Sequence, residues 1–269
     1  MRALAKPLAF LKRDLGVAIT YRVSFIESLG MLVFSLLSLD IFARFINRGT
    51  SADLEKYGND YFAYALIGVS IALFARVVME ILPGAIRSAQ VMGTLEVIAS
   101  SRTSLPIFLL GSSIYALAFA TFRLAAGILI GVFLLGAQIR LDQVAIAFVG
   151  FLLTVAIFAG VGVIAAAFVL MFKQREPFTG ALFTASLLLS GVLYPTSALP
   201  GWLERISVVL PLTHTTEVMR VTLLQGGGLD VVAGHLIVLV GFALCLPVGL
   251  KIFALAVKQV RTSGSTGNY

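Results

Sequence analysis

Residues 190–226 read SGVLYPTSALPGWLERISVVLPLTHTTEVMRVTLLQG. This stretch lies between two long apolar runs, yet it is neither a spanning helix nor a soluble loop. Tyr194-Pro195 ends the preceding run, because proline has no N–H with which to continue a helix. Pro200 can start a short helix, its φ being already helical. Trp202, Leu203, Ile206, Val209 and Leu210 fall on one face of that helix, with Glu204, Arg205 and Ser207 opposite. Pro211 breaks it. Thr213 is placed to cap a second helix, in which Glu217 and Arg220 are three apart and can pair. Gly226, Gly227 and Gly228 release the chain. Each helix is too short to cross a bilayer, which takes about 20 residues. The stretch is expected to form an interfacial or re-entrant hairpin on one side of a membrane.

The composition agrees. Of 269 residues, 59% are hydrophobic and 12% charged, against about 25% charged in soluble domains. The mean hydropathy is +1.01. The apolar runs are long and do not alternate, so they read as helices and not as barrel strands. The net charge of +7 comes from scattered basic residues and fits loop topology better than nucleic-acid binding. The single cysteine, Cys245, excludes an internal disulfide and most thiolate metal sites. It reads as a small hydrophobe. Lys6, Pro7, Lys12, Arg13 and Asp14 interrupt the N-terminus, so it is not expected to be a cleavable signal.

Taken in order, residues 1–22 predict an amphipathic helix lying on the membrane, with Leu4, Leu8, Leu11 and Leu15 at helical spacing. Six spans are expected, at 23–46, 61–82, 105–135, 143–172, 178–194 and 231–257, together forming the domain 23–257. Tyr61, Phe62 and Tyr64 suit an interface. Pro83 and Gly84 are expected to end the second span, and 85–104 is a separate polar helix. The fifth span is short by about a turn. KQREP at 173–177 is a tight charged turn, and 258–269 a polar tail. Lysine and arginine near the span ends place both termini in the cytoplasm. The hairpin then lies outside and 85–104 inside.

Catalytic motifs are missing. There is no GxxxxGK[ST] phosphate loop, no GxSxG elbow and no HExxH; His214 and His235 have no cysteine partner for a metal. Ionisable residues inside spans carry more information, since a charge in lipid is costly. Arg123 lies near the middle of the third span; it serves either a structural partner or a polar pathway. Arg76 and Glu80, four apart, can pair. Glu27, Asp40 and Glu80 lie towards span ends, so the carboxylate cluster of a proton-coupled carrier, the alternative function, is not seen. Gly127 and Gly131 form a GxxxG, and Gly160 and Gly162 add similar latitude for close helix approach, most simply within the chain.

Two segments resemble ABC type-2 exporter permeases. GTLEVIASSRTSLPIFLLG at 93–111 resembles the family's cytoplasmic signature, and 190–220 its proline-marked hairpin with a glutamate–arginine helix. Leu210 precedes Pro211 where many members have asparagine. The resemblance implies an all-α integral membrane protein: six transmembrane helices, an N-terminal interface helix, a cytoplasmic coupling helix and an extracellular re-entrant hairpin at about 195–228. It implies a permease subunit without a catalytic site or cofactor of its own. ATP and Mg would bind a separate ATPase subunit, and two permeases would pair as a homodimer in the plasma membrane. Arg87, Gln90, Gly93, Thr94, Leu95, Glu96 and Arg102 would contact the ATPase, with Val91, Leu95 and Ile98 as an apolar stripe. Tyr194, Pro195, Pro200, Trp202, Pro211, Glu217 and Arg220 would shape the outer gate. Tyr21, Phe25, Phe178, Tyr194 and Arg123 are candidates for the pathway. Spans rich in Phe, Leu and Ala suit an amphiphilic substrate: a lipid, a lipid-linked glycan or an apolar drug.

Overall fold

The computed structural model describes residues 16, 22–46, 60–95, 105–172 and 178–262. Among them every regular element is helical. The main ones are α1 (Arg22–Ile46), α2 (Tyr61–Val91), α3 (Leu105–Phe133), α4 (Val144–Phe172), α5 (Phe178–Leu189), α6 (Gly201–Ser207), α7 (Pro211–Arg220), α8 (Leu229–Ala243) and α9 (Cys245–Thr262). A 3-10 turn, Thr196–Ala198, precedes α6, and a π-turn, Val221–Gln225, follows α7. Most of the expected 1–22 helix, the 47–59 loop, Tyr21, Glu96, Ile98, Arg102 and the 173–177 turn lie outside the described residues.

Five helical stretches are long and apolar enough to cross a membrane: Phe25–Ile46, Tyr61–Val91, Ile107–Phe133, Val144–Phe172 and Leu229–Val260. Of the expected sixth, at 178–194, the described residues form a shorter apolar helix, α5 (Phe178–Leu189). α5 has 12 residues, about 18 Å at 1.5 Å per residue, against a hydrocarbon core of about 30 Å. The remaining residues up to Pro195 are not helical.

Two further boundaries move. α2 does not stop at Pro83; the helix runs through it to Val91. A proline inside a helix removes one bond to the residue four before it, here Met79. α2 is buried along most of its length, and that packing holds the helix through the defect. The last span, expected as one helix, breaks at Leu244 into α8 and α9. Pro247 explains the break, since it has no N–H for the Ala243 carbonyl. α9 then continues to Thr262, so the polar tail begins as helix.

α4 is the centre of the bundle and packs against α2, α7, α8 and α9. Glycines set its closest approaches. A Cβ at Gly160 would lie 2.6 Å from the Leu246 nitrogen, and one at Gly162 2.8 Å from the Met79 carbonyl oxygen. Gly162 therefore sits against the carbonyl that Pro83 leaves without its helical donor. Gly127 faces Leu32 and Ser70, and Gly131 meets Leu66, so the GxxxG serves packing within the chain. α1 leans on α2 and α3. It turns Leu36, Asp40 and Ala43 inward and leaves Phe34, Ile41 and Phe45 on the surface.

The hairpin is built differently from its sequence reading. Pro200 is the N-cap of α6 and not its first residue. Pro211 opens α7 at its first turn, behind Leu210 as N-cap, where a missing N–H costs nothing. Thr213 is no cap: its hydroxyl donates to the Ser207 carbonyl at 2.6 Å. Ser207 is buried, whereas Trp202, Ile206 and Val209 are exposed. The apolar face of α6 thus looks away from the bundle.

Candidate functional site

Non-helical backbone at membrane depth persists only where its polar groups find partners in the protein. After α5 that partner is Arg220, the last residue of α7, which is 1% exposed. Its Nε and Nη2 donate to the Tyr64 carbonyl at 3.2 and 3.1 Å. Nη1 donates to the Gly191 carbonyl at 2.7 Å and Nη2 to the Val192 carbonyl at 2.8 Å. The guanidinium carbon lies 3.4 Å from the centre of the Tyr64 ring, and the Tyr64 hydroxyl also donates to Gly191 O, at 2.7 Å. The planar fork of arginine suits several acceptors at once.

Glycine makes room for this clamp. A Cβ at Gly68, one turn beyond Tyr64 on α2, would collide with Arg220 Nη2 and the Val192 carbonyl. Gly191 takes φ +70°, which favours glycine. The sequence suggested Glu217 as the partner of Arg220; the bonds described here run to three backbone carbonyls on two other segments. The i,i+3 spacing could not disclose them. Tyr64, Gly68 and Gly191 were likewise missed as site residues. Their only sequence signal was a tyrosine and a glycine four apart, and a glycine just before the proline-marked break.

α7 and the segment before it are tied to α8 by histidines. His214 Nε2 donates to the Val208 carbonyl at 2.8 Å, and its Nδ1 lies 2.9 Å from His235 Nδ1. A carbonyl only accepts, so the Nε2 proton is fixed. Tyr194 donates its hydroxyl to the Leu188 carbonyl and holds the end of α5.

Beside the clamp lies a cavity of about 800 Å³ between α1, α2 and α3. Leu32, Leu36, Leu39, Phe42 and Phe74 make its walls apolar, and Leu193, next to the clamped Val192, is part of the lining. Its polar lining is Ser35, Ser38, Ser70, Arg76 and Arg123; no acidic residue lines it. Arg76 bonds Glu80 at 3.1 Å, as the sequence predicted, and its guanidinium lies 5.1 Å from the Phe183 ring centre. Arg123 is half-buried and has no hydrogen-bond or ion-pair partner among the described residues. A charge at mid-helix in lipid costs about 2.5–3.5 kcal/mol on insertion scales.

Of the residues suggested for the pathway, Arg123 alone among those described lines this cavity. Phe25 stacks with Phe119 and Phe122, 5.9 and 6.4 Å between ring centres. Phe178 packs edge-on to Phe168 at 6.0 Å.

At the far end of α2 the chain turns at Met92–Thr94, with Gly93 at φ +67°. Arg87, Val91, Met92, Gly93 and Thr94 are exposed. Gln90 and Leu95 are buried, and the Gln90 amide donates to the Val169 carbonyl of α4 at 3.1 Å. Gln90 and Leu95 anchor the turn to the bundle; Arg87, Val91 and Thr94 are what it presents. The separate polar helix expected from 85 is therefore, as far as it is described, the end of α2 followed by this turn.

Long apolar helices and backbone satisfied inside the bundle define a multi-pass α-helical membrane protein. The chain belongs to the ABC-2 type transporter family, whose model matches residues 17–224. That range includes the cavity, the clamp and the turn at 92–94. It makes the chain a transport permease, of a kind that normally pairs with an ATPase subunit. No curated protein is significantly similar to the chain.

Proposed function

We propose that the chain is the permease subunit of an ATP-driven exporter of amphiphilic molecules. Two copies pair in the plasma membrane, with both termini in the cytoplasm and the hairpin outside. A separate ATPase carries ATP and Mg and docks on the turn that presents Arg87, Val91, Gly93 and Thr94, continued by Glu96 and Arg102. The observation that carries this reading is the family match over residues 17–224, on a chain whose sequence has no phosphate loop of its own.

The geometry supplies a route for the coupling. α2 is one helix from Tyr61 to Val91. It holds the docking turn at one end, Arg76 at the cavity, and Tyr64 at the clamp. A displacement of the turn is transmitted along that single rod to the Arg220 contacts and to Leu193 in the cavity lining. ATP can drive export this way only if its binding favours one arrangement over the other. The cavity lining holds no carboxylate, which argues against the proton-coupled alternative.

The test is copurification. The chain expressed beside a phosphate-loop ABC ATPase is expected to retain it in detergent, and Val91→Glu with Thr94→Arg to release it while the permease still elutes as a folded species. An ATPase never retained by the unmutated chain would remove the mechanism.

A further inference from the structure

The cavity holds an unusual combination: a half-open apolar recess between α1, α2 and α3 whose charged lining is of one sign. Arg76 is partly neutralised by Glu80 at 3.1 Å. Arg123 is not, having no hydrogen-bond or ion-pair partner among the described residues. It lies four residues past the midpoint of α3 (Leu105–Phe133), too far from either end to be explained as an interface anchor. Hydroxyls are at hand. One turn beyond Arg123, Gly127 brings α3 against Ser70. Ser70 lines the cavity and its hydroxyl makes no hydrogen bond. Ser35 and Ser38 donate to carbonyls of their own helix, at 2.8 and 2.9 Å. The volume of about 800 Å³ falls in the range of small-molecule sites, about 300–1,000 Å³.

Resting on the exporter reading, the geometry points to the substrate class: the cavity takes an amphiphile by an anionic, phosphate-type head group, with Arg123 as its counter-ion. Guanidinium matches phosphate oxygens with two parallel N–H donors, and the Ser70 hydroxyl adds a third. The acyl or prenyl tail lies along Leu32, Leu36 and Phe74. A cationic amphiphile would meet the same charge as repulsion, with no acidic residue in the lining to receive it. Arg123 thus acts in binding and discrimination, and α3 tolerates its charge because a ligand arrives with the opposite one.

The experiment uses the full chain in detergent, without any ATPase, so its outcome is independent of the copurification test. The probes are phosphatidic acid and phosphatidylcholine with the same fluorescent tail, a trimethylammonium amphiphile with that tail, and inorganic phosphate. The chain is expected to bind the phosphatidic acid at least tenfold more tightly than the phosphatidylcholine, and the trimethylammonium probe weakest. Arg123→Gln is expected to abolish the preference, Arg123→Lys to keep most of it, and Arg205→Gln, on exposed α6, to leave it intact. The proposal is overturned by an unmutated chain that does not distinguish the head groups, a result that needs no variant to fold. It is also overturned if Arg123→Gln, eluting as the unmutated chain does, keeps the preference. Displacement of the lipid by equimolar inorganic phosphate would overturn the amphiphile assignment. Self-association lost with Arg123→Gln, in a chain showing no head-group preference, would give the cavity to a second copy instead.

Discussion

Arg220 and Arg123 both lie within helices of this bundle, and their surroundings are opposite. Arg220 is sealed, 1% exposed, and bonded to the carbonyls of Tyr64, Gly191 and Val192. Arg123 is half-buried beside a half-open cavity of about 800 Å³ and has no bonding partner among the described residues. The first charge is used up by the fold. The second is left available. A buried cation is therefore not in itself a sign of function; what separates the two is whether the protein already supplies the acceptors.

This contrast can be broken experimentally, beginning with the largest effect. Arg220→Ala leaves three buried carbonyls without their donor and removes the strut between α2, α7 and residues 190–195. It is expected to cost about 3–5 kcal/mol, the range for breaking a buried charged contact. The readout is the temperature at which the detergent-solubilised chain loses its monodisperse elution peak. Arg220→Lys should recover little, because an ammonium cannot reach the same acceptors in one plane.

Gly68→Ala tests the same strut from the α2 side. Its Cβ would overlap Arg220 Nη2 and the Val192 carbonyl, and overpacking of this kind costs about 1–3 kcal/mol. A variant as heat-stable as the unmutated chain would mean that the clamp is looser than described. Gly162→Ala places a Cβ 2.8 Å from the Met79 carbonyl. Its cost should be at the lower end of that range, about 1 kcal/mol, since only one backbone atom must yield.

Arg123→Gln marks the other side of the comparison. No intramolecular bond is lost, so the melting temperature should stay level, within about 0.5 kcal/mol in stability, or rise as a charge leaves the membrane. A large loss of stability would place Arg123 with Arg220 as a structural residue. Trp202→Ala should change stability least, because the side chain is 67% exposed. Membrane flotation of the variant and the unmutated chain, compared with their melting curves, separates an anchoring role from a packing one.

Much of the fold was legible because it follows from composition and run length. The long apolar stretches gave α1 to α4 and the last span. The Arg76–Glu80 pair followed from helical spacing, and the GxxxG from small side chains. What misled were prolines. Pro83 reads as a stop, yet α2 passes through it because burial on most sides outweighs one lost hydrogen bond. Pro247 reads as part of a continuous span, yet Leu244 is where the helix breaks. Local chemistry is the same in both cases, and tertiary packing decides. The clamp was illegible for another reason: its acceptors are backbone carbonyls, which every residue has, and their partner lies 156 positions away from Tyr64 along the chain. The cavity was half legible. Arg123 stood out as a charge in a span, but that no acid answers it is a fact of three-dimensional arrangement.

The shortness of α5 has a consequence for the bilayer itself. Its 12 described residues reach about 18 Å, less than the hydrocarbon thickness of about 30 Å. Lipid beside a helix that stops early must thin or tilt, at a cost of fractions of a kcal/mol per Å of mismatch. The exposed Trp202 and Ile206 of α6, with Val209 just beyond it, lie beside α5 and are placed to rest against acyl chains. A bilayer around the protein is expected to thin beside α5, bringing the two head-group layers closer together there than elsewhere.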